Sequence, residues 1–101
     1  MRLNSLEIQT LKQAERDCFD ADAVVRVFGS LLDDSRKGGD IDLLIDTALT
    51  DPAEIVRAHS RFLARVYARL GEQKIDLLID FSHRQTALPV YQVARENGVV
   101  L

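Results

Sequence analysis

At 101 residues the chain is expected to form a single domain over residues 1–101, because a chain of this length buries roughly 60–65% of its unfolded surface around one core. Its 47% hydrophobic and 29% charged residues are ordinary for a globular protein, no apolar run approaches the ~18 residues of a membrane span, and the N-terminus lacks a signal-peptide core, so a cytoplasmic location without a membrane partner is expected. A net charge of −3 argues against a duplex-DNA reader, the single Cys18 excludes an internal disulfide and reads as a small core residue, and no Cys/His cluster points to zinc.

Along the chain, residues 5–19 read as a helix with Ser5 as N-cap and Ile8, Leu11, Glu15, Cys18 and Phe19 at helical spacing. Asp20-Ala21-Asp22 ends it. Residues 23–28 are Val-rich and bounded by Gly29, which predicts a first strand. Ser30 and Asp33 are spaced to start a short helix, and 35–39, Ser-Arg-Lys-Gly-Gly, reads as a loop. Residues 40–46 form the second predicted strand. Its alternation puts Asp40, Asp42, Leu44 and Asp46 on one face and Ile41, Leu43 and Ile45 on the other.

The next helix carries the strongest signals. Asp51 is the expected N-cap, Pro52 takes the first helical position, Glu54 is placed for a capping box, and Gly71 stops the helix. Its apolar stripe is Ile55, His59, Phe62, Leu63, Val66 and Leu70, with His59 read as a core histidine. A third strand is expected over 74–80, with Asp76, Leu78 and Asp80 on one face. A last helix follows over 84–97, restarted at Pro89 and closed by Gly98; Val99-Val100-Leu101 is either a short edge strand or a docking tail.

The hexamer Ile-Asp-Leu-Leu-Ile-Asp occurs twice, at 41–46 and 75–80. Two copies make no solenoid, which needs at least three. Neighbouring strands of one sheet would select similar residues, and that arrangement sets Asp42 beside Asp76.

These residues compose a site. Asp40 and Asp42 share a strand face and can share a metal, and Asp76 from the adjacent strand supplies a third carboxylate. Crowded carboxylates repel, and a cation relieves them. Mg²⁺ suits an all-carboxylate set, and two such ions about 3.5–4 Å apart can clamp the attacking and leaving oxygens of a phosphoryl or nucleotidyl transfer. Gly29 lets a backbone approach phosphate without a Cβ, and Ser30 opens a helix start whose free N–H groups favour anions.

The order apolar-Gly29-Ser30, short loop, Asp40-Ile41-Asp42, then a later strand Asp76 resembles the signature of the polymerase-β-like nucleotidyltransferases, and the length resembles their minimal bacterial and archaeal members. The resemblance runs from the first helix to Asp80. It implies an α/β fold with a small mixed sheet flanked by helices, ATP or another NTP as donor, and Mg²⁺. It assigns Gly29 and Ser30 to the triphosphate, Asp40 and Asp42 to the metals, and Asp76 as the third carboxylate. Minimal members are often paired with a small helical HEPN-type toxin, which some inactivate by adding AMP. The expected function is therefore an antitoxin that adenylylates its partner. The alternatives are an antitoxin acting by contact alone, and a transferase acting on a small molecule or an RNA end. Many minimal members carry Arg directly after Gly-Ser; this chain has Leu31, leaving Arg36 or Lys37 to supply charge to the phosphates. A chain of this size has no acceptor domain of its own, so a partner or an oligomer is expected to provide one.

Arg57, Arg61, Arg65 and Arg69 recur every fourth position, as a solvated helix face or as a docking surface for an acidic partner or RNA, with RNA the less favoured. His83 and Arg84 follow the third strand. Asp46 and Asp80, roughly 13 Å along their strands from Asp42 and Asp76, are read as structural, and Tyr67 and Tyr91 as packing residues.

Overall fold

A computed structural model describes residues 3–29, 40–81 and 89–101. The expectations placed on Ser30, Leu31, Asp33, Arg36, Lys37, the loop 35–39, His83, Arg84 and the start of the last helix at 84–88 lie outside the described residues.

The first helix, α1 (Ser5–Cys18), begins one residue earlier in its capping than expected. Asn4, not Ser5, is the N-cap: its side-chain oxygen accepts from the Glu7 N–H at 2.8 Å, and the Glu7 carboxylate accepts from the Asn4 N–H at 3.0 Å. This reciprocal box satisfies two of the donors a helix start leaves open. The helix α2 (Pro52–Leu70) starts differently. Asp51 is its N-cap but makes no side-chain cap bond, so the capping box expected with Glu54 does not form. Pro52 takes the first helical position, where its ring presets φ for the first turn and its missing N–H is no loss. At the other end Gly71 adopts φ +77° and its N–H donates to the Tyr67 carbonyl at 2.9 Å, a left-handed stop that a Cβ would strain.

Four strands form one mixed sheet in the order β3-β2-β1-β4. They are β1 (Val24–Phe28), β2 (Ile41–Thr47), β3 (Ile75–Phe81) and β4 (Val99–Val100). β1 pairs antiparallel with β2 and with β4, and β2 pairs parallel with β3. The last three residues therefore form an edge strand and its end, with the Leu101 N–H donating to the Val25 carbonyl at 3.0 Å. The two hexamers are direct neighbours in perfect register, Ile41 opposite Ile75 through Asp46 opposite Asp80.

Alternation along the strands sorts the two faces. Val25, Val27, Ile41, Leu43, Ile45 and Ile79 point to one side, where they join Leu11 and Ala14 of α1 and Ala58, Phe62 and Val66 of α2 in the main core. Phe19 meets Phe62 edge to face, with ring centroids 6.2 Å apart. Cys18 packs at the margin of this core as expected, whereas His59 is only half-buried and the smaller Ala58 takes the inward position. Glu15, on the inward side of α1, is buried, and burial pushes its carboxyl up from the ordinary value. The helix α3 (Pro89–Asn97) packs on the other face against β1 and β2, where Leu44 and Ala94 are fully buried. The result is a small α/β domain, a four-stranded mixed sheet flanked by three helices. Among the described residues no helix is long and apolar enough to cross a membrane.

Candidate functional site

The site is the start of the β2–β3 pair and the end of β1. Antiparallel pairing sets Phe28, the last residue of β1, opposite Asp42, and parallel pairing sets Asp42 opposite Asp76. The Ile41 N–H donates to the Lys74 carbonyl at 2.9 Å and holds the two strand starts together. Asp42 and Asp76 therefore emerge side by side on the face opposite α1 and α2.

Gly29 follows Phe28 directly and sits against Asp42. Its φ is +78°, and a Cβ built on it would land on the Asp42 carboxylate oxygen Oδ2. Glycine is thus required here twice, by backbone conformation and by the carboxylate packed over it. The close approach expected at Gly29 was that of a phosphate; in the structure the group packed against it is the Asp42 side chain.

Asp42 is half-buried, Asp76 is exposed, and a side-chain hydrogen bond joins them. The Asp42 carboxyl is held above the ordinary aspartate value. Burial is the largest cause, followed by the negative charge of Asp76, the hydrogen bond with Asp76, and the charge of Asp40. Burial and the crowding of like charge thus both favour the protonated form of Asp42.

The third expected residue stands apart. Asp40 precedes β2, and its carboxylate lies 3.5 Å from the Lys74 ammonium, an exposed ion pair. Its charge still raises Asp42, so the three aspartates feel one another, but only Asp42 and Asp76 are in contact. Among the described residues no group of three or more His, Cys, Asp or Glu side chains is arranged to hold a metal ion. The donor chemistry nevertheless suits a hard divalent cation, which would relieve the repulsion between carboxylates held close together.

The opposite end of the same strands is built from the same residues with different partners. Asp46 and Asp80 lie opposite each other in register. Arg95 of α3 bridges them, donating to Asp46 at 2.5 Å and also to Asp80, and Arg26 of β1 pairs with Asp46 as well. Neither arginine was singled out from the sequence. The register of β1 could have revealed Arg26, which shares a face with Asp46, but Arg95 lies on an element distant in the chain. A further carboxylate emerges only in three dimensions. Asp20 accepts from the Thr47 hydroxyl at 2.5 Å and the Ala48 N–H at 3.0 Å, fastening the end of β2 to the end of α1. Burial alone would raise the Asp20 carboxyl, but hydrogen bonds from Thr47, Ala48 and the neighbouring backbone bring it below the ordinary value.

Neither protein-family models nor curated proteins give a match to this chain.

Proposed function

We propose that this protein is a minimal nucleotidyltransferase of the polymerase-β-like type, transferring AMP from ATP to a hydroxyl on a helical partner protein, and so acting as an antitoxin. The observation that carries this reading is the in-register Asp42–Asp76 pair beside Gly29, which crowds two carboxylates and raises the carboxyl of Asp42 above the ordinary value. The mixed sheet, with its antiparallel β1–β2 pair and parallel β2–β3 pair, agrees with that core.

On this reading Asp42 and Asp76 hold Mg²⁺, joined by Asp40 when it leaves Lys74. Bound there, Mg²⁺ would supply positive charge to the donor phosphates and the departing pyrophosphate. Asp76, the exposed member, orients the acceptor hydroxyl and takes its proton. The acceptor oxygen forms a bond to the α-phosphorus of ATP as the bond from that phosphorus to the pyrophosphate oxygen breaks, so AMP remains on the partner and pyrophosphate leaves. Gly29 keeps the end of β1 free of a Cβ where the phosphates approach.

A second reading, neutralisation of the partner by contact alone, is favoured by the engagement of Asp40 with Lys74. Intact-mass measurement of the partner after incubation with this protein, ATP and Mg²⁺ separates the two. A gain of one or more AMP units that disappears with Asp42→Asn supports transfer. An unchanged mass in a tight complex formed without nucleotide supports contact inhibition.

A further inference from the structure

The second Ile-Asp-Leu-Leu-Ile-Asp hexamer lies at an edge of the sheet. In β2, between β1 and β3, Ile41, Leu43, Leu44 and Ile45 are at most 2% exposed. In β3 the same hexamer has β2 on one side only, and Ile75, Leu77 and Leu78 are half-buried. Edge strands ordinarily carry basic side chains, proline or a bulge against further pairing. From Ile75 to Phe81 β3 has no proline and no basic residue, and its register with β2 runs unbroken. The Ile41 N–H donates to the Lys74 carbonyl, so the even-numbered residues of β3 turn their backbone groups to β2. Ile75, Leu77, Ile79 and Phe81 turn theirs outward, and among the described residues no strand pairs with them.

We infer that two copies of this chain join β3 to β3, antiparallel, across a two-fold axis at Leu77, so that their sheets become one. Hydrogen bonding and charge choose this register. An antiparallel partner sets outward-turned residues opposite one another, here Leu77 opposite Leu77 and Ile75 opposite Ile79 on either side. Lys74, 75% exposed, then stands opposite Asp80 of the second copy, adding to the Arg95 that Asp80 already holds, and Asp76 stands opposite Leu78. A slip that puts Leu78 on the axis sets Asp76 against Asp80 in both halves, and one that puts Asp76 there sets it against itself. Like charges directly opposite are destabilising. Helix α2 fits the same arrangement. It is the crossover from β2 to the parallel β3, which lays it over that pair. Its Arg65 pairs with Asp17 of α1, and the half-buried Leu63, Tyr67 and Leu70 lie on the side turned away from α1, above the β3 edge. With strands ~4.8 Å apart, the two α2 helices come roughly 10 Å apart across the axis, the separation at which helices pack. The half-buried apolar residues of both elements are thereby covered by their own copies. On the other face the two Asp42–Asp76 pairs open beside each other, with the Asp76 positions on a diagonal of ~7–8 Å.

The test is sedimentation equilibrium of the chain at roughly 100 μM, well above a micromolar Kd. The expected mass is twice the 11.4 kDa of one chain. Leu77→Lys, which brings two ammonium groups together on the axis, should return the mass to that of a monomer, with circular dichroism checking that it is folded. Cysteine trapping reads the register separately and decides the matter if Leu77→Lys does not fold. It uses a Cys18→Ser background, which removes the one native thiol. There Leu77→Cys should give a disulfide-linked dimer on mild oxidation, since hydrogen-bonded antiparallel pairs lie ~5.5 Å apart between Cα atoms, within disulfide reach. Leu78→Cys, on a diagonal of ~7–8 Å from its copy, should link at least ten-fold more slowly. The inference is overturned by a monomeric mass for the unaltered chain, by a dimer that a folded Leu77→Lys leaves intact, or by Leu78→Cys linking as fast as Leu77→Cys.

Discussion

The two ends of the β2–β3 pair carry the same residues in the same register and are in opposite electrostatic states. At the strand starts Asp42 faces Asp76, among the described residues neither pairs with an arginine, and their crowding raises the Asp42 carboxyl. At the strand ends Asp46 faces Asp80, and Arg95 and Arg26 neutralise them. An aspartate pair locked to arginines is a fastener, here holding α3 to the sheet. A pair whose like charges crowd one another can be relieved by a cation. The difference teaches that function is assigned by partners and not by the motif, because the motif is identical at both ends.

The sharpest way to break this comparison is to make one substitution at each end. Asp42→Asn should cut AMP transfer by roughly 10²–10⁴-fold, the range of a lost acid–base or metal-holding carboxylate, with folding intact. Asp46→Asn should leave transfer near the wild-type rate and shift the urea midpoint downward, since Arg26 and Arg95 both lose a partner. Partner mass and urea melts read the two outcomes, and full activity in Asp42→Asn would remove Asp42 from the mechanism.

Gly29→Ala tests the near end through its backbone. The new Cβ meets the Asp42 carboxylate in a conformation that costs an L-residue about 1–2 kcal/mol. The variant should lose at least that much stability in urea denaturation, and an unchanged midpoint would show that Asp42 can move aside without cost.

Arg95→Ala converts the far end toward the state of the near one. It leaves Asp80 facing Asp46, with Arg26 still on Asp46. Partial exposure of Arg95 limits the cost to about 1 kcal/mol. In a double-mutant cycle with Asp46→Asn the two losses should be less than additive, and additivity would mean that the arginine stabilises through packing and not charge.

The smallest effects lie in the pH dependence of stability, measured in EDTA. The folded Asp42 binds its proton more tightly than the unfolded chain, whose aspartates titrate near 3.8. Its contribution therefore improves as pH falls through the raised value toward 3.8 and is unfavourable above it. Asp42→Asn should be more stable than wild type at neutral pH, and the gap should close on acidification. Asp20 has the opposite sign. Its lowered carboxyl stabilises the fold above 3.8, and that stabilisation is lost as pH falls through the lowered value. Thr47→Val should remove about 1 kcal/mol of it at neutral pH. Parallel pH profiles for Asp42→Asn and Thr47→Val would contradict both assignments.

Local chemistry made much of the fold legible. The Val-rich run before Gly29, the alternating Asp and aliphatic residues of β2 and β3, and the Pro52 start and Gly71 stop of α2 appear within one or two residues of their expected places. Each is a signal written within a few neighbouring residues. The helix caps show the limit. Asn4 captured the capping role expected of Ser5, and the expected Asp51–Glu54 box did not form, because competing local solutions differ by less than the tertiary context supplies. Of the candidate site, the adjacency of Asp42 and Asp76 was legible from the repeated hexamer, and the requirement for Gly29 from its residue type. The position of Asp40 against Lys74 was not, because an exposed side chain at a strand start chooses among partners that only the assembled strands bring near.

By itself the sequence determined which residues alternate, where elements start and stop, and that two identical strands would want the same surroundings. These follow from steric and hydrogen-bonding preferences within a few residues of chain. The tertiary structure alone decided that the surroundings would differ. Parallel pairing aligned the four aspartates into two pairs, and the placement of α3 brought Arg95 to only one of them. The packing of α1 on α2 likewise gathered Lys12, Arg16 and Arg69 into one groove. Charges separated by tens of residues interact only after the chain has folded, so their pairing is a property of the fold that no local pattern encodes.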